Sequence, residues 1–159
     1  MKRLPDLGPR GEGWVALQFV LLLSIALVGL VGGDAWSGTL ARITDVAGLA
    51  LLAGGVVLAA AGLLALGRSL TPLPRPRDGA VMVESGVYAA VRHPIYGGLI
   101  VAAFGWGLMV ASPLALILAA VLAGFFELKS RREEAWLMEH YPGYVDYMEQ
   151  TRRFVPGIH

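Results

Sequence analysis

The sequence predicts an all-α integral membrane bundle of four transmembrane helices with a cytoplasmic C-terminal helical extension. Two features of the composition support this class: 56% of the 159 residues are hydrophobic and only 16% are charged. A soluble domain carries about 25% charged residues, so the apolar excess has to face lipid. The third observation is that the apolar residues fall into runs, most of them near the roughly 20 residues that cross a bilayer.

Four runs mark the predicted spans of this single domain, at about residues 14–33, 43–66, 94–111 and 113–129. Ser112 and Pro113 suit the start of the fourth helix, because serine is a good N-cap and proline fits the first helical position. The apolar run that follows is too short to cross at about 1.5 Å per residue. One long helix is therefore predicted to continue toward His140 and to leave the bilayer. The first run is interpreted as a retained span, because no small-residue cleavage site follows it.

Basic residues fix the predicted orientation. Four spans put all but one of the 13 lysines and arginines on one side, and Arg42 stands alone on the other. By the positive-inside rule that side is cytoplasmic, with both termini, in a multi-pass protein of the cell membrane. The clustered residues are Lys2, Arg3, Arg10, Arg68, Arg75, Arg77, Arg92, Lys129, Arg131, Arg132, Arg152 and Arg153.

Charge and cysteine content exclude several classes of function. A formal net charge of +1 argues against a nucleic-acid binder, which shows a strong basic excess. The chain has no cysteine, which removes disulfides, thiolate nucleophiles and Cys-ligated metals. No metal site is predicted, and the oligomeric state stays open.

The most informative motif is the run from Arg92 to Gly98, RHPIYGG, at the predicted start of the third span. Pro94 suits a first helical turn, which leaves Arg92 and His93 at the helix N-terminus. Such an end with basic neighbours is a natural site for an anionic group. A simple interfacial capping role for His93 is the alternative, and the whole cluster favours a site.

A second charged cluster follows the fourth apolar run. Glu127, Arg131 and Glu134 share one helical face at spacings of four and seven. A carboxylate at the edge of the hydrocarbon region is expensive when it is unpaired and is usually functional. The alternative is a purely structural ion pair between Glu127 and Arg131.

Together these motifs resemble the isoprenylcysteine carboxyl methyltransferase and phospholipid methyltransferase superfamily. The resemblance covers residues 67–159, whereas the first two spans are generic. Its features stand in the superfamily's order: Gly86-Val87-Tyr88, Arg92-His93-Pro94-Ile95-Tyr96-Gly97, Gly105-Trp106-Gly107, Glu133-Glu134 with Leu137, Tyr144, Tyr147 and Pro156.

The resemblance implies methyl transfer from S-adenosylmethionine, held by the C-terminal half of the chain. His93 and Tyr96 would hold the methionine end of the cofactor. Gly105 and Gly107 would let the cofactor approach the third helix. Glu133 and Glu134 would supply carboxylates for the ribose hydroxyls or the amino group. The neighbouring motif residues Tyr88 and Arg92 would also contact the cofactor.

The implied acceptor is a lipid-like or isoprenoid molecule at the inner membrane leaflet. A carboxylate acceptor needs a positioning cation such as Arg131 or Arg153, and O-methylation is the favoured prediction. A phospholipid or small amine must lose a proton, which asks for a base such as Glu127. The eukaryotic carboxyl methyltransferases have an arginine in the region of Glu127, so both acceptors stay open.

Two further functions compete with methyl transfer. Membrane sterol reductases, which use NADPH, resemble the same C-terminal region but are generally much longer. A non-catalytic membrane scaffold predicts no cofactor binding at all. The enzymatic prediction requires His93, at the start of the third helix, to meet Glu133 and Glu134 in one polar cavity.

Overall fold

The computed structural model describes residues 5–71, 73–75, 79 and 81–154, and this part of the chain is helical. Lys2, Arg3, Arg77 and Pro156, which the sequence predictions use, lie outside the described residues. The one extended pairing in the described part is a parallel bridge between Val91 and Arg152. The helices are α1 (Glu12–Val31), α2 (Gly38–Leu66), α3 (Pro94–Met109), α4 (Pro113–His140) and α5 (Tyr144–Gln150), with short 3-10 turns at Gly67–Ser69 and Gly86–Ala89.

Three helices, α1, α2 and α4, are long and apolar enough to cross a membrane, and α3 is a shorter apolar helix of 16 residues. Their large apolar side chains are widely exposed, as Leu64 shows with 81% of its surface accessible. Contiguous apolar surface of this extent marks contact with lipid or partners. The chain is therefore a multi-pass helical membrane protein.

The helix starts follow the local sequence. The Ser112 hydroxyl accepts a hydrogen bond from the backbone N–H of Ala115 at 3.3 Å, and Pro113 opens α4. Pro94 likewise opens α3 directly after His93. The predicted long fourth helix is a single helix of 28 residues that ends at His140.

Glycines let α2 and α3 pack backbone to backbone as antiparallel neighbours. A Cβ built on Gly55 would lie 2.5 Å from the Gly98 carbonyl oxygen, and one on Gly48 would lie 2.7 Å from the Gly105 carbonyl oxygen. Small residues at helix contacts are the usual way for helices to approach closely in lipid. Gly54 differs, because a Cβ there meets nothing within 4 Å.

Aromatic and aliphatic side chains join α1 to α4. The rings of Trp14 and Phe125 lie 5.6 Å apart, and Ile25 packs in the core with Leu122 and Phe126. The start of α1 thereby meets the charged half of α4. The end of α2 and the start of α3 meet at the same end of the bundle, since a Cβ on Gly62 would touch Pro94 and Ile95. We call this region the charged end.

Candidate active site

A cavity of about 350 Å³ opens at the charged end. Its polar wall comes from the start of α3, from α4 and from α5. Its apolar wall includes Phe19 of α1 and Leu63 of α2, which are 62% and 43% exposed on the apolar surface of the bundle. The segment between α2 and α3 covers another side through residues that include Leu70 and Met82. One space is therefore bordered by charged groups and by the surface expected to face lipid.

A stack of three rings fixes the polar wall. The imidazole of His93 stacks on Tyr96 at 5.3 Å between ring centroids, and Tyr96 stacks on Phe126 at 4.5 Å. The Tyr96 hydroxyl donates a hydrogen bond to Oε2 of Glu133 at 2.7 Å. His93 Nδ1 lies 4.0 Å from the same carboxylate oxygen. His93, Tyr96 and Glu133 all line the cavity, so this is the meeting of α3 and α4 that the motifs predict.

Glu134 has a different environment from Glu133. Only 2% of its surface is exposed, and it does not line the cavity. Its carboxylate lies 3.2 Å from His93 Nε2 and accepts hydrogen bonds from Arg92 Nε at 2.9 Å and Arg153 Nη2 at 2.7 Å. The anion that Arg92 and His93 attract is therefore the chain's own Glu134. Because hydrogen bonds between charged groups are strong, Glu134 fixes the positions of the side chains that bind it.

Arg92 also clamps the C-terminal part of the chain. Its Nη1 donates to the carbonyl oxygens of Met148, at 2.9 Å, and Thr151. The backbone N–H of Arg92 donates to the Arg152 carbonyl at 2.7 Å, and that of His93 to the Arg153 carbonyl at 2.9 Å. The guanidinium thus ties α5 and residues 151–154 to the start of α3 while Arg92 lines the cavity.

The three residues predicted to be catalytic form an ion-pair chain outside the cavity lining. Glu127 accepts hydrogen bonds from Arg131, at 2.7 Å, and from Arg153. Arg153 continues the chain to Glu134. None of Glu127, Arg131 and Arg153 lines the cavity, and the Arg131 side chain is more than half exposed. Contact of these three residues with the acceptor stays a prediction from the sequence.

The two glycines expected to admit the cofactor lie at close contacts between helices. A Cβ on Gly105 would lie 2.4 Å from the backbone nitrogen of Leu52, on α2. A Cβ on Gly107 would lie 2.7 Å from the Leu116 side chain, on α4. Neither glycine lines the cavity. The contact with the cofactor that the resemblance implies for them stays a prediction.

Several tyrosines also line the cavity. Tyr88, Tyr144 and Tyr147 are buried, and Tyr147 donates a hydrogen bond from its hydroxyl to the Tyr88 carbonyl at 2.7 Å. Burial raises the pKa of Tyr88 and of Tyr144 well above the ordinary value, and it raises the pKa of Tyr147 to about 12. All three hydroxyls are therefore protonated at neutral pH.

Sequence reasoning missed two cavity residues, Lys129 and Gln18. The Lys129 ammonium, on a residue only 2% exposed, donates to Oε1 of Gln18 and lies 4.9 Å from the centroid of the Tyr96 ring. Both residues line the cavity. Helix spacing places Lys129 on the face of Glu133, four residues later, and Gln18 on the face of Trp14, four residues earlier, but it does not show that the two faces meet.

Comparisons with known proteins found a matching family profile and several related sequences. The profile of the phospholipid methyltransferase family matches residues 43–143, more than half of the chain. Protein-S-isoprenylcysteine O-methyltransferase B of Arabidopsis thaliana is 30% identical over 115 residues, which cover 70% of this chain and 58% of that protein. A protein of Alcaligenes xylosoxydans xylosoxydans, named nickel-cobalt-cadmium resistance protein NccN, is 30% identical over 142 residues, 87% of this chain and 62% of the relative. In the described part of this chain, no group of three or more His, Asp or Glu residues could hold a metal ion.

A solved structure shares the fold. The eukaryotic intramembrane Ras methyltransferase, an isoprenylcysteine carboxyl methyltransferase, superimposes with a TM-score of 0.65 at 22% identity. The match covers 98% of this chain and 55% of that one. The chain thus spans little more than half the length of such relatives. With the profile match and the motif order, the chain belongs to the phospholipid methyltransferase family, within the superfamily that includes the isoprenylcysteine carboxyl methyltransferases.

Proposed function

We propose that the protein is an S-adenosylmethionine-dependent methyltransferase that acts at the inner membrane leaflet on a lipid-like or isoprenoid carboxylate. The observation that carries the proposal is the mixed lining of one cavity. His93, Tyr96, Glu133 and Lys129 provide charge and hydrogen bonds, while Phe19 leads to the apolar surface. Such a space suits a polar donor and an acceptor with a hydrocarbon tail.

The cavity fits the proposed cofactor in size and in chemistry. Ligand pockets usually measure about 300–1,000 Å³, and this one measures about 350 Å³. Glu133 would bind the ammonium group of the methionine end, with His93 and Tyr96 beside it. Tyr88, Tyr144 and Tyr147 offer aromatic faces and hydroxyl donors for the adenosine end.

Glu134 and Arg92 act on the cofactor indirectly in this proposal. Glu134 accepts from His93 Nε2 and so fixes the ring orientation and leaves Nδ1 facing Glu133. Arg92 holds α5 and its tyrosines against α3. Both are positioning residues, and Arg153 strengthens the same network through Glu134.

S-adenosylmethionine, when bound, would supply a methyl group activated on a sulfonium, whose sulfur would keep the electron pair of the broken C–S bond as the acceptor oxygen takes the methyl group. The chain's task is to orient the acceptor in a space from which water is excluded. Orientation of this kind lowers a barrier by up to about 7–11 kcal/mol. Lys129 is a cavity cation that would hold a carboxylate in place, the role that the sequence predicts for Arg131 or Arg153, whereas the cavity residue Arg92 is already paired with Glu134.

An amine acceptor is the second candidate, because Glu133 is a carboxylate that lines the cavity and could take a proton. Glu127, the base expected from the sequence, is engaged by two arginines outside the lining. Lys129 favours the carboxylate, since an ammonium repels a protonated amine.

Calorimetric binding to the detergent-solubilised protein tests the choice of cofactor. We expect S-adenosylmethionine to bind and NADPH not to bind. Glu133→Gln removes the charge that faces the ammonium group and should weaken binding about 10- to 100-fold. Glu139→Gln, at an exposed position of α4, is the matched control and should bind normally. Binding of NADPH would support the reductase, and binding of neither cofactor would support the scaffold.

A further inference from the structure

Gln18 is a polar residue within an apolar stretch of α1. It shares the inward face of α1 with the buried residues Trp14 and Ile25, at spacings of four and seven. The profile match begins at residue 43, so Gln18 lies outside the part of the chain that matches the family. No motif in the sequence gives it a role.

The partner of Gln18 is an ammonium group with donors to spare. Lys129 carries three N–H donors, and its hydrogen-bond acceptor in the described part of the chain is Oε1 of Gln18. The ion pairs found among the described residues do not include Lys129. Its other neighbours include the faces of Tyr96 and Phe126, and the carboxylate of Glu133 attracts it without a direct ion pair. Burying a cation is costly, and an anion in the cavity that accepts its remaining N–H donors would offset part of that cost.

Gln18 contributes donors of its own beside this ammonium. An amide side chain has one acceptor oxygen and two N–H donors. The oxygen is used by Lys129, which fixes the orientation of the amide, and the hydrogen bonds found in the described part of the chain use neither amide N–H. The amide and the ammonium together form a donor pair at the wall shared by α1 and α4.

We infer that Gln18 is a specificity-determining residue: with Lys129 it forms a subsite for the anionic oxygens of the acceptor and selects a carboxylate over an amine. The inference rests on the proposed methyltransferase function and adds to it that α1 takes part in choosing the acceptor. Gln18 does not touch the transferred methyl group. It holds the lysine toward the cavity and supplies the neighbouring donors.

Acceptor competition tests this role. Methyl transfer is measured from labelled S-adenosylmethionine to an S-prenylated N-acylcysteine, which carries a carboxylate, and to an S-prenylated cysteamine, which carries an amine. In Gln18→Glu, the new carboxylate pairs with Lys129 and repels the acceptor's carboxylate. KM for the carboxylate should rise at least about tenfold, with kcat nearly unchanged. The ratio of kcat/KM for carboxylate over amine should fall about 100-fold.

Two further variants separate recognition from folding. Gln18→Leu, which keeps the volume without donors, should raise KM for the carboxylate by about fivefold or more and leave the affinity for S-adenosylmethionine unchanged. Ser24→Ala, at another polar residue of α1, is the control, because the Ser24 hydroxyl donates to the Val20 carbonyl of its own helix and Ser24 does not line the cavity. Its acceptor ratio should equal that of the wild type.

Different results would overturn the role of Gln18 and the proposed methyltransferase function. An unchanged acceptor ratio in both Gln18 variants, with normal cofactor binding, would overturn the role of Gln18 and leave the methyltransferase standing. Equal losses for both acceptors together with weaker cofactor binding would mark a structural role and would also overturn it. Failure of the wild type to bind S-adenosylmethionine would instead remove the proposed function itself.

Discussion

At the residue scale, two adjacent carboxylates have separate tasks. Glu133 faces the cavity and accepts from Tyr96, whereas Glu134 lies behind it among three basic residues. Consecutive residues on a helix point in directions about 100° apart. A pair of glutamates can therefore serve a ligand with one member and hold the site together with the other.

Glu134→Gln should destabilise the protein. Breaking a buried ion pair by removing one partner costs about 3–5 kcal/mol, because the remaining charges stay buried. The thermal midpoint in detergent, followed by circular dichroism, should fall clearly below that of the wild type. An unchanged midpoint would contradict the positioning role of Glu134.

Tyr96→Phe should weaken the cofactor site without loosening the fold. The variant keeps the ring stack with His93 and Phe126 but removes the hydroxyl that orients Glu133. Loss of a hydrogen bond to a charged group predicts about tenfold weaker binding of S-adenosylmethionine in calorimetry. Tyr96→Leu, which also loses the stack, serves as the comparison and should lower the thermal midpoint as well. Wild-type affinity in Tyr96→Phe would show that the hydroxyl does not position Glu133.

At the element scale, the position of the site depends on how closely α2 and α3 approach. The glycine contacts bring the start of α3, with His93, beside the end of α2, whose Leu63 and Leu66 line the cavity. Residues 151–154 then lie along the start of α3, where a Cβ on Gly97 would stand 2.5 Å from the Phe154 carbonyl oxygen. The start of α3, which borders the cavity, therefore packs against both α2 and residues 151–154.

Gly105→Ala tests whether this glycine packs helices or admits a ligand. Its Cβ would collide with the α2 backbone, and overpacking of this kind costs about 1–3 kcal/mol. We expect a lower thermal midpoint. Gly54→Ala is the matched control, because the added methyl group meets open space and alanine is the better helix former. Equal midpoints for the two variants would argue against tight packing at Gly105.

The sequence predicts elements better than contacts between them. Ser112 and Pro113 predict the start of α4, and Pro94 predicts the start of α3, because helix capping depends on residues that are adjacent in the sequence. The motifs also predict that His93 meets the twin glutamates. The partnership of Gln18 with Lys129 needs the packing of α1 on α4, which no local pattern encodes. Gly105 shows a second limit, since a glycine can allow close approach of a ligand or of a helix and the sequence alone does not distinguish the two.

At the scale of the whole molecule, charge is gathered at one end of an apolar bundle. The four-span topology with this end in the cytoplasm stays a prediction from the distribution of basic residues. It places the cavity where a soluble methyl donor and a membrane-borne acceptor can both reach it. The fold shared with the solved methyltransferase supports the helical arrangement.

The absence of cysteine allows a direct test of orientation. Single cysteines at the exposed positions Ser37→Cys and Glu139→Cys can be labelled with a membrane-impermeant maleimide. In intact cells, we expect labelling at position 37 only, and at both positions after permeabilisation. Labelling of position 139 in intact cells would show that the orientation in the membrane is the reverse of the predicted one.

Transfer of a labelled methyl group to an S-prenylated N-acylcysteine, followed by alkaline hydrolysis of the product, tests whether the protein methylates a lipid-like carboxylate. Alkali releases a methyl group from an ester and leaves an N-methyl group in place. We expect an alkali-labile product from the wild type and from the control Glu139→Gln, with transfer reduced at least about tenfold in Glu133→Gln and in Lys129→Met. Transfer that persists at the wild-type rate in both cavity variants, or a folded wild type that transfers no methyl group, would contradict this expectation.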